Sequence, residues 1–192
     1  MTDQSASPTR PPAPAKVKIL SIADGLFYDE GVHAVGVDRI IAQSHVTKAT
    51  FYKHYRSKDI LVAAFVAGRA AKERDAVASD RERFGDAVRV LRGIADRAAE
   101  QSRRPGYHGC PFINAAASQI AQDGPVEPAV REWRVWLRTT LVELFTEAGA
   151  FAPQDAADDL LLARDGAFGG GRVADPDAVG PALRRALDRL VA

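Results

Sequence analysis

Apolar residues recur with a helical period along almost the whole chain, and this pattern restricts the fold more than any other feature. In the first such segment, Ile19, Ile22, Ala23, Leu26 and Phe27 are spaced three and four residues apart. This spacing places them on one face of a helix. No stretch of useful length alternates polar and apolar residues as a half-buried strand does. The sequence therefore predicts an all-α protein.

Eight further segments carry the same period, so we expect about nine helices. Helices are predicted to begin near Val37, Thr47, Ser57 and Ala87, and to lie near residues 112–121, 127–148, 154–170 and 176–191. The prolines agree with this division, because seven of them lie between or at the starts of the later segments. Proline lacks a backbone N–H, so it is tolerated in the first turn of a helix but not in its interior.

The remaining four of the 11 prolines lie in residues 1–15 among Ser, Thr and Gln, which predicts a disordered arm. This arm has no apolar stretch of the kind that a signal peptide carries. The longest apolar run, from Ile60 to Gly68, is about half of the roughly 20 residues that a membrane span needs. The single cysteine cannot form an internal disulfide. We therefore expect a cytoplasmic protein with no membrane partner.

Charge is distributed unevenly, although the whole chain is nearly neutral at +1. Residues 1–58 hold eight Lys and Arg against five Asp and Glu, whereas the rest holds 18 against 20. Between Arg39 and Lys58 there are five bases and no acid. A solvated helix face usually mixes both signs. A stretch of one sign that also carries Thr, Tyr and His therefore favours contact with phosphates.

The basic stretch also has the spacing of a helix-turn-helix, in residues 37–58 (VDRIIAQSHVTKATFYKHYRSK). We expect a short helix, a tight turn at His45 and a second helix capped by Thr47. Ile40 and Val46 are placed to pack the two helices together. Many helical pairs mimic this pattern, so the charge of this one is what favours DNA binding.

The segment from Lys16 to about Arg69 resembles the N-terminal domain of the TetR family of bacterial transcription regulators. The stretch VTKATFYKHYRSKDIL, residues 46–61, is similar to the family signature. The resemblance implies a DNA-binding domain over residues 16–70 and a helical effector-binding and dimerisation domain over residues 80–192. It further implies a homodimeric repressor, released by a small-molecule effector from operator DNA.

The resemblance also implies roles for individual side chains. Lys48 and Ala49 fall where family members contact base edges, since lysine can reach guanine O6 and N7 and alanine a thymine methyl. Thr50, Tyr52 and His54 fall on positions that usually contact phosphates. An alternative for Tyr52 is a core position, which is the interpretation we favour for its neighbour Phe51. The predicted DNA-binding residues are Thr47, Lys48, Ala49, Thr50, Tyr52, Lys53, His54 and Lys58.

Two positions depart from the family pattern. Gly36 stands where members usually have a Ser or Thr as N-cap, so it offers no hydroxyl to a phosphate. His45 stands where a turn glycine is usual, and histidine is among the residues enriched at positive φ. We expect the turn to form with some backbone strain at His45.

A second motif, HGCPFINAAAS at residues 108–118, resembles one found in a branch of the family. A helix so poor in charge is expected to be buried beside an effector pocket of at least a few hundred Å³. The expected effector is small and largely apolar, with one polar or anionic end. The predicted lining is Cys110, Phe112, Asn114, Trp133, Trp136, Arg164 and Phe168. The alternative is a filled core in which Asn114 bonds backbone and Arg164 pairs with a carboxylate.

Two apolar segments near the C-terminus predict a dimer interface. Residues 160–168 are apolar on more than one side, which is expected of a helix buried on both faces. A second stripe consists of Val179, Leu183, Ala186, Leu187 and Leu190. Together they could form a four-helix interface across a two-fold axis, which would match an inverted-repeat operator in double-stranded DNA. The alternative is that both segments cover the core of a single chain.

The sequence carries no motif that indicates catalysis or a metal site. The four histidines lack metal-ligand spacing, and the three glycines at 169–171 are not followed by the Lys-Ser or Lys-Thr of a phosphate loop. We expect no metal, no cofactor and no enzymatic activity. Cys110 is a candidate redox sensor, although a packed thiol is favoured. A DNA-binding regulator or architectural protein without an effector, and a helical interaction module, stay open as alternatives.

Overall fold

The computed structural model describes residues 13–118, 124–173 and 175–191. Over these ranges the chain forms nine α-helices and no β-strand, so the all-α prediction is confirmed. The helices are α1 (Pro14–Glu30), α2 (Val37–Ser44), α3 (Lys48–His54), α4 (Lys58–Phe84), α5 (Ala87–Ser102), α6 (Pro111–Ala117), α7 (Val126–Glu147), α8 (Pro153–Val173) and α9 (Pro176–Leu190).

Side-chain caps start several of these helices where the sequence predicted them. The side chains of Thr47, Ser57 and Asp86 each accept a hydrogen bond from the backbone N–H three residues later. Such caps satisfy one of the N–H groups that the first turn leaves without an intrahelical partner. At the other end of α4, Gly85 takes the left-handed conformation at φ 59°, which glycine adopts without a steric penalty.

The first three helices and the start of α4 form a head with its own apolar centre. Ile19, Ile40 and Phe51 are fully buried there. Phe27 of α1 meets Phe65 of α4 edge to face, with ring centres 5.5 Å apart. The centre of the head therefore includes residues from α4 as well as from the helix-turn-helix.

Helices α4 to α9 form a second bundle. In it α9 packs against α5 and α8, and α7 packs against α4 and α8. Leu91, Leu141 and Phe145 are fully buried between these helices. An ion pair also attaches α1 to α4. Arg69 Nε and Nη2 of α4 donate to the Asp24 carboxylate of α1 at 2.8 and 3.0 Å.

The structure corrects three boundaries. Helix α1 begins at Pro14 and so includes the end of the segment predicted as an arm, while residues 1–12 of that arm lie outside the described residues. Helix α4 continues to Phe84 and leaves no linker between residues 70 and 80. Helix α6 ends at Ala117, and residues 119–121 of the predicted helix lie outside the described ranges.

The apolar stripes predicted to form a dimer interface are mostly used inside the chain. Leu160, Leu161 and Phe168 of α8 are buried, and so are Val179, Leu183 and Leu187 of α9. They are covered because α9 lies against α5 and α8 of its own chain. These side chains therefore cover the core of their own chain, as the alternative expects, while Leu162 of the same α8 segment is exposed, and the dimer interface across α8 and α9 stays a prediction.

None of the helices in the described ranges is long and apolar enough to cross a membrane.

Truncation of Phe145 should test the packing of the second bundle. Its ring is fully buried, so Phe145→Ala should lower the free energy of unfolding by about 3–5 kcal/mol through the cavity that it leaves. The matched control is Phe151→Ala, since Phe151 is fully exposed and its loss should change stability by less than about 0.5 kcal/mol. Urea titration followed by circular dichroism measures both, and equal effects would contradict this packing.

Candidate nucleic-acid interface and ligand cavities

The turn between α2 and α3 has the left-handed geometry that the sequence predicted. His45 lies at φ 51° and ψ 41°, and it is the one non-glycine residue of the described chain at positive φ. Its backbone N–H donates to the carbonyl of Ala42 at 3.2 Å. Ser44 closes the end of α2, because its hydroxyl donates to the Ile40 carbonyl at 2.7 Å. These bonds hold the turn in place and so set the angle between the two helices.

Two threonine hydroxyls meet at the exposed start of α3. Thr47 Oγ1 accepts a hydrogen bond from the Thr50 backbone N–H at 3.1 Å and lies 2.8 Å from Thr50 Oγ1. The predicted cap is therefore confirmed. Since only one of these hydroxyls can donate to the other, the pair keeps one O–H available for another acceptor.

Helix α3 separates a buried face from an exposed one. Phe51 is fully buried and packs near Tyr55, with ring centres 6.2 Å apart, as predicted for a core residue. Tyr52 is 42% exposed and touches Phe51 only with an edge-to-face contact. Its phenol is thus on the outside, and the core alternative for Tyr52 is wrong.

The predicted DNA-binding residues lie together around α3 and the start of α4. Five are exposed and three are half-buried. The exposed ones are Thr47, Lys48, Ala49, Tyr52 and Lys53, and the half-buried ones are Thr50, His54 and Lys58. Burial lowers the pKa of Lys58, and the neighbouring Asp59 carboxylate opposes that shift.

Two acids next to this surface change the charge balance expected from the sequence. Arg39 is held by a two-pronged contact with Glu30, in which Nη2 donates to Oε1 at 2.7 Å. Lys48 Nζ lies 3.8 Å from an Asp38 carboxylate oxygen, with both groups largely exposed. Arg39 therefore connects α2 to α1, and the exposed pair of Lys48 with Asp38 is weak.

A cleft of about 260 Å³ lies between α4, α5, α6 and α8. A larger hollow of about 580 Å³ lies on the outer side of α7, away from the predicted lining residues. Of the seven predicted lining residues, Phe112 and Arg164 line the 260 Å³ cleft. Cys110, Asn114 and Phe168 line a separate cavity of about 150 Å³ at the N-terminal end of α6. The predicted pocket is thus divided into two.

Neither tryptophan lines these cavities, so that part of the predicted lining was wrong. Trp133 is buried, stacked on Phe112 with ring centres 3.7 Å apart, and its indole N–H donates to Glu73 at 2.7 Å. Trp136 lies three residues further along α7, half-buried, with the Arg74 guanidinium 5.4 Å from its ring centre. The Trp133 indole is therefore enclosed by its stacking on Phe112, and the Trp136 ring lies against Arg74.

The polar groups of the predicted pocket already have protein partners. Asn114 donates from Nδ2 to the His108 carbonyl at 2.7 Å. Arg164 Nη2 donates to Glu73 at 3.1 Å. This is the arrangement expected from the filled-core alternative, although the two cavities beside these groups remain.

Cys110 precedes α6 at its N-cap position and is buried. Burial raises the pKa of its thiol, and the nearby Arg164 guanidinium offsets part of that effect. A neutral buried thiol is a poor nucleophile. Across the ranges that the structure covers, no group of three or more His, Cys, Asp and Glu side chains is arranged to hold a metal ion.

Comparisons with known proteins now decide the family. The family model described as "Bacterial regulatory proteins, tetR family" matches residues 19–65, which are most of the head. A TetR-family transcriptional regulator from Streptomyces coelicolor shares 33% identity with the chain, with a TM-score of 0.84 over 92% of this chain and 94% of that one. The chain belongs to the TetR family of transcriptional regulators. It is accordingly a DNA-binding regulator, and the members it matches are regulators rather than enzymes.

More distant TetR-family structures share the fold. A transcriptional regulator from Agrobacterium tumefaciens is 19% identical with a TM-score of 0.81, over 93% of this chain and 98% of that one. The reduced form of NemR from E. coli is 16% identical with a TM-score of 0.77, over 93% and 95%. None of the curated proteins compared with the chain matches it.

Sequence reasoning missed the charged wall of the 260 Å³ cleft. Arg69, Lys72 and Glu73 line it from α4, and Arg97 lines it from α5. The α4 residues follow the spacing of one helix face, which could have identified a shared surface. Nothing in the sequence indicated which other helix that surface would meet.

Cys110 should be protected from alkylation in the folded protein. Because burial raises its pKa, iodoacetamide at pH 8 should modify the native thiol at least tenfold more slowly than the same chain in 6 M guanidinium chloride. Mass spectrometry of timed samples measures the two rates, and Cys110→Ser shows the background. A native rate equal to the unfolded rate would mean that the thiol is exposed.

Proposed function

We propose that this TetR-family regulator is a homodimeric repressor, which binds inverted-repeat operator DNA through α3 and is released by a small-molecule effector in the second bundle. The observation that carries the proposal is the exposed face of α3, where five predicted contact residues lie side by side. The head, residues 16–70, would then be the DNA-binding part, and residues 80–192 the effector-binding and dimerisation part.

On this proposal the side chains of α3 divide into two roles. Lys48 and Ala49 point to base edges in the major groove, where lysine reads guanine and the alanine methyl meets a thymine methyl. Tyr52, Lys53 and Lys58 contact phosphates beside the groove. Thr47, Thr50 and His54 lie on the same side and supply further polar contacts.

Dimerisation is supported by the outer face of α8 and α9, whose exposed residues lie within or next to the predicted segment 160–168 on α8 and outside the predicted stripe on α9. Helix α8 exposes the side chain of Leu162, which is 67% accessible. It also exposes Gly166 and Gly169, which have open space around them, since a Cβ atom at either position would have no neighbour within 4 Å. Helix α9 exposes Ala178 and Ala182. Small residues permit two helices to approach closely, so this face suits a four-helix interface with a second copy across a two-fold axis.

Release would act through α4, which borders the 260 Å³ cleft and also forms part of the head. An effector that binds better to a shifted position of α4 would change the spacing of the two recognition helices in the dimer. Both half-sites could then no longer be bound at once, and affinity for the operator would fall.

Two lysine variants should separate phosphate contacts from base contacts, on an operator selected from random double-stranded DNA. If Lys58 neutralises one phosphate in each subunit, Lys58→Ala should reduce the slope of log K against log salt by roughly 1.8 and weaken binding to all sequences equally. Lys48→Ala should instead cost about 1–3 kcal/mol per half-site and relax the preference at one base pair.

Fluorescence anisotropy with labelled DNA measures both effects. Arg131→Ala is the control, because Arg131 is exposed on α7 and pairs with Glu127 four residues earlier. An unchanged salt slope in Lys58→Ala would remove that residue from the interface. An operator without two-fold symmetry would contradict binding by a dimer.

A charge placed on the outer face of α8 should dissociate the dimer. Gly166→Glu should leave a particle of 20.6 kDa at concentrations where the wild-type chain forms a particle of about 41 kDa, twice that mass. Gly25→Glu is the matched control, since Gly25 is an exposed glycine inside α1 with similar open space. Sedimentation velocity distinguishes the two masses, and a dimeric Gly166→Glu would place the interface elsewhere.

A further inference from the structure

Arg164 on α8 is the most unusual charged side chain of the second bundle. Among the described residues it is the one charged group that is more than nine-tenths buried, with 6% of it exposed. Its guanidinium lies over the rings of Trp133 and Phe168, at 5.2 and 4.6 Å from their centres. Removing a guanidinium from water is costly unless its N–H groups find acceptors.

Arg164 keeps buried donors that form no hydrogen bond within the described ranges. Nη2 donates to Glu73, but Nε and Nη1 are buried and form no hydrogen bond with any residue that the structure describes. Asp165 Oδ1 is 4.0 Å from Nη1, too far for a hydrogen bond, and is itself buried without a partner in that part of the chain, while Oδ2 of the same carboxylate pairs with Arg134 at 2.7 Å. Arg164 therefore has two buried nitrogens without acceptors among the residues described, and its side chain lines the 260 Å³ cleft.

A second arginine with an unused donor lines the same cleft. Arg97 of α5 pairs with Asp80 through Nη1, while its Nη2 is buried and has no acceptor among the described residues. Arg69 and Lys72 also line the cleft, and both pair with Asp24 of the head. The N–H groups left without acceptors are thus concentrated on Arg164 and Arg97.

The rest of the cleft is small and has a polar rim and an apolar wall. The rim is formed by Gln101 and by Arg104, which pairs with Glu100 at 3.7 Å. Ile94 and Ala98 of α5 and Phe112 of α6 contribute the apolar wall. A volume of 260 Å³ is just below the range of about 300–1,000 Å³ that is usual for drug-sized ligands. An occupant of this space is therefore a compact molecule that presents a negative end to the arginines and an apolar body to Phe112.

We propose that the effector of this regulator is a small organic carboxylate that binds Arg164 and Arg97 and takes the place of Glu73 on Arg164. The inference rests on the proposed release by an effector and names its chemistry. Guanidinium groups bind carboxylates in two-pronged geometry, and a pair of them in a partly buried cleft selects strongly for an anion over a neutral molecule of the same shape.

Competition with Glu73 connects the ligand to the head. Glu73 lies on α4 and accepts from Arg164 of α8 and from the Trp133 indole of α7, so it attaches α4 to both helices. It also lies one turn after Arg69, which holds Asp24 of the head. When the ligand carboxylate occupies Arg164, the attachment of α4 to α8 through Glu73 is lost while the attachment to α7 through Trp133 remains, and α4 shifts its position together with the head.

Trp133 provides a direct signal for the test, since its ring contacts Arg164 and its N–H contacts Glu73. In a Trp136→Phe chain, Trp133 is the one remaining tryptophan. We would titrate this protein at pH 7.5 and constant ionic strength with acetate, butyrate, benzoate and phenylacetate, each against its neutral amide, and with inorganic phosphate. At least one carboxylate should bind saturably below 20 mM, at least tenfold more tightly than its amide.

Variants then assign the site. Arg164→Gln should weaken binding of that carboxylate at least tenfold, and Arg97→Gln should weaken it several-fold as a second variant in case the first unfolds. Glu73→Gln should strengthen binding at least threefold, because the competing carboxylate is gone. Arg138→Gln is the control, since Arg138 pairs with Asp158 on the exposed side of α7 and should leave affinity unchanged.

The outcomes separate this inference from the proposed function. Four results would each overturn the inference. They are no saturable binding by any of the four carboxylates, equal binding of the amides, binding of phosphate alone, and an unchanged affinity in Arg164→Gln. Release of the operator by a neutral ligand would overturn it and leave the effector-released repressor standing. A carboxylate that binds through Arg164 but leaves the operator bound would support the site and contradict release.

Discussion

Helix α4 is the element on which the rest of the molecule depends. It is 27 residues long, about 40 Å, and it is a packing partner in both bundles. Leu61, Phe65 and Val66 near its start are buried with the head, while Ala70 and Val77 are buried further along. Because no linker interrupts it, a displacement at one end is transmitted as a rigid-body motion to the other.

The attachment of α4 to the second bundle involves a buried arginine rather than apolar contacts alone. A Leu or Met at position 164 would fill the same space between the aromatic rings without the cost of burying a charge. The arginine instead depends on Glu73, whose removal would leave a buried cation with too few acceptors. Such a contact is strong while both partners are present and weak once a competing anion arrives, which suits an element with two arrangements.

Prediction from the sequence was accurate where the residues concerned lie close together along the chain, and it failed where they lie far apart. The cap at Thr47, the burial of Phe51 and the exposure of Tyr52 were predicted correctly, because these residues lie on one short helical segment and their sides follow from helical spacing. Contact of this surface with DNA stays a prediction. The charged cleft was not predicted, because Arg164 and Glu73 are 91 residues apart in the sequence and meet only through the packing of their helices. Trp133 was predicted to line the pocket because it is bulky and apolar, but its ring is stacked on Phe112 and buried, so it does not line the cleft.

The proposed coupling through α4 is tested most directly by the distance between the two α3 helices of the proposed dimer. Spin labels on Lys53→Cys, in a Cys110→Ser chain, report that distance by pulsed electron resonance. If Glu73 holds α4 in place, Glu73→Ala should shift or broaden the distance distribution, whereas Glu132→Ala, which removes an exposed α7–α4 pair with Arg74, should not. A Glu73→Ala distribution that superimposes on that of the parent chain would contradict the account.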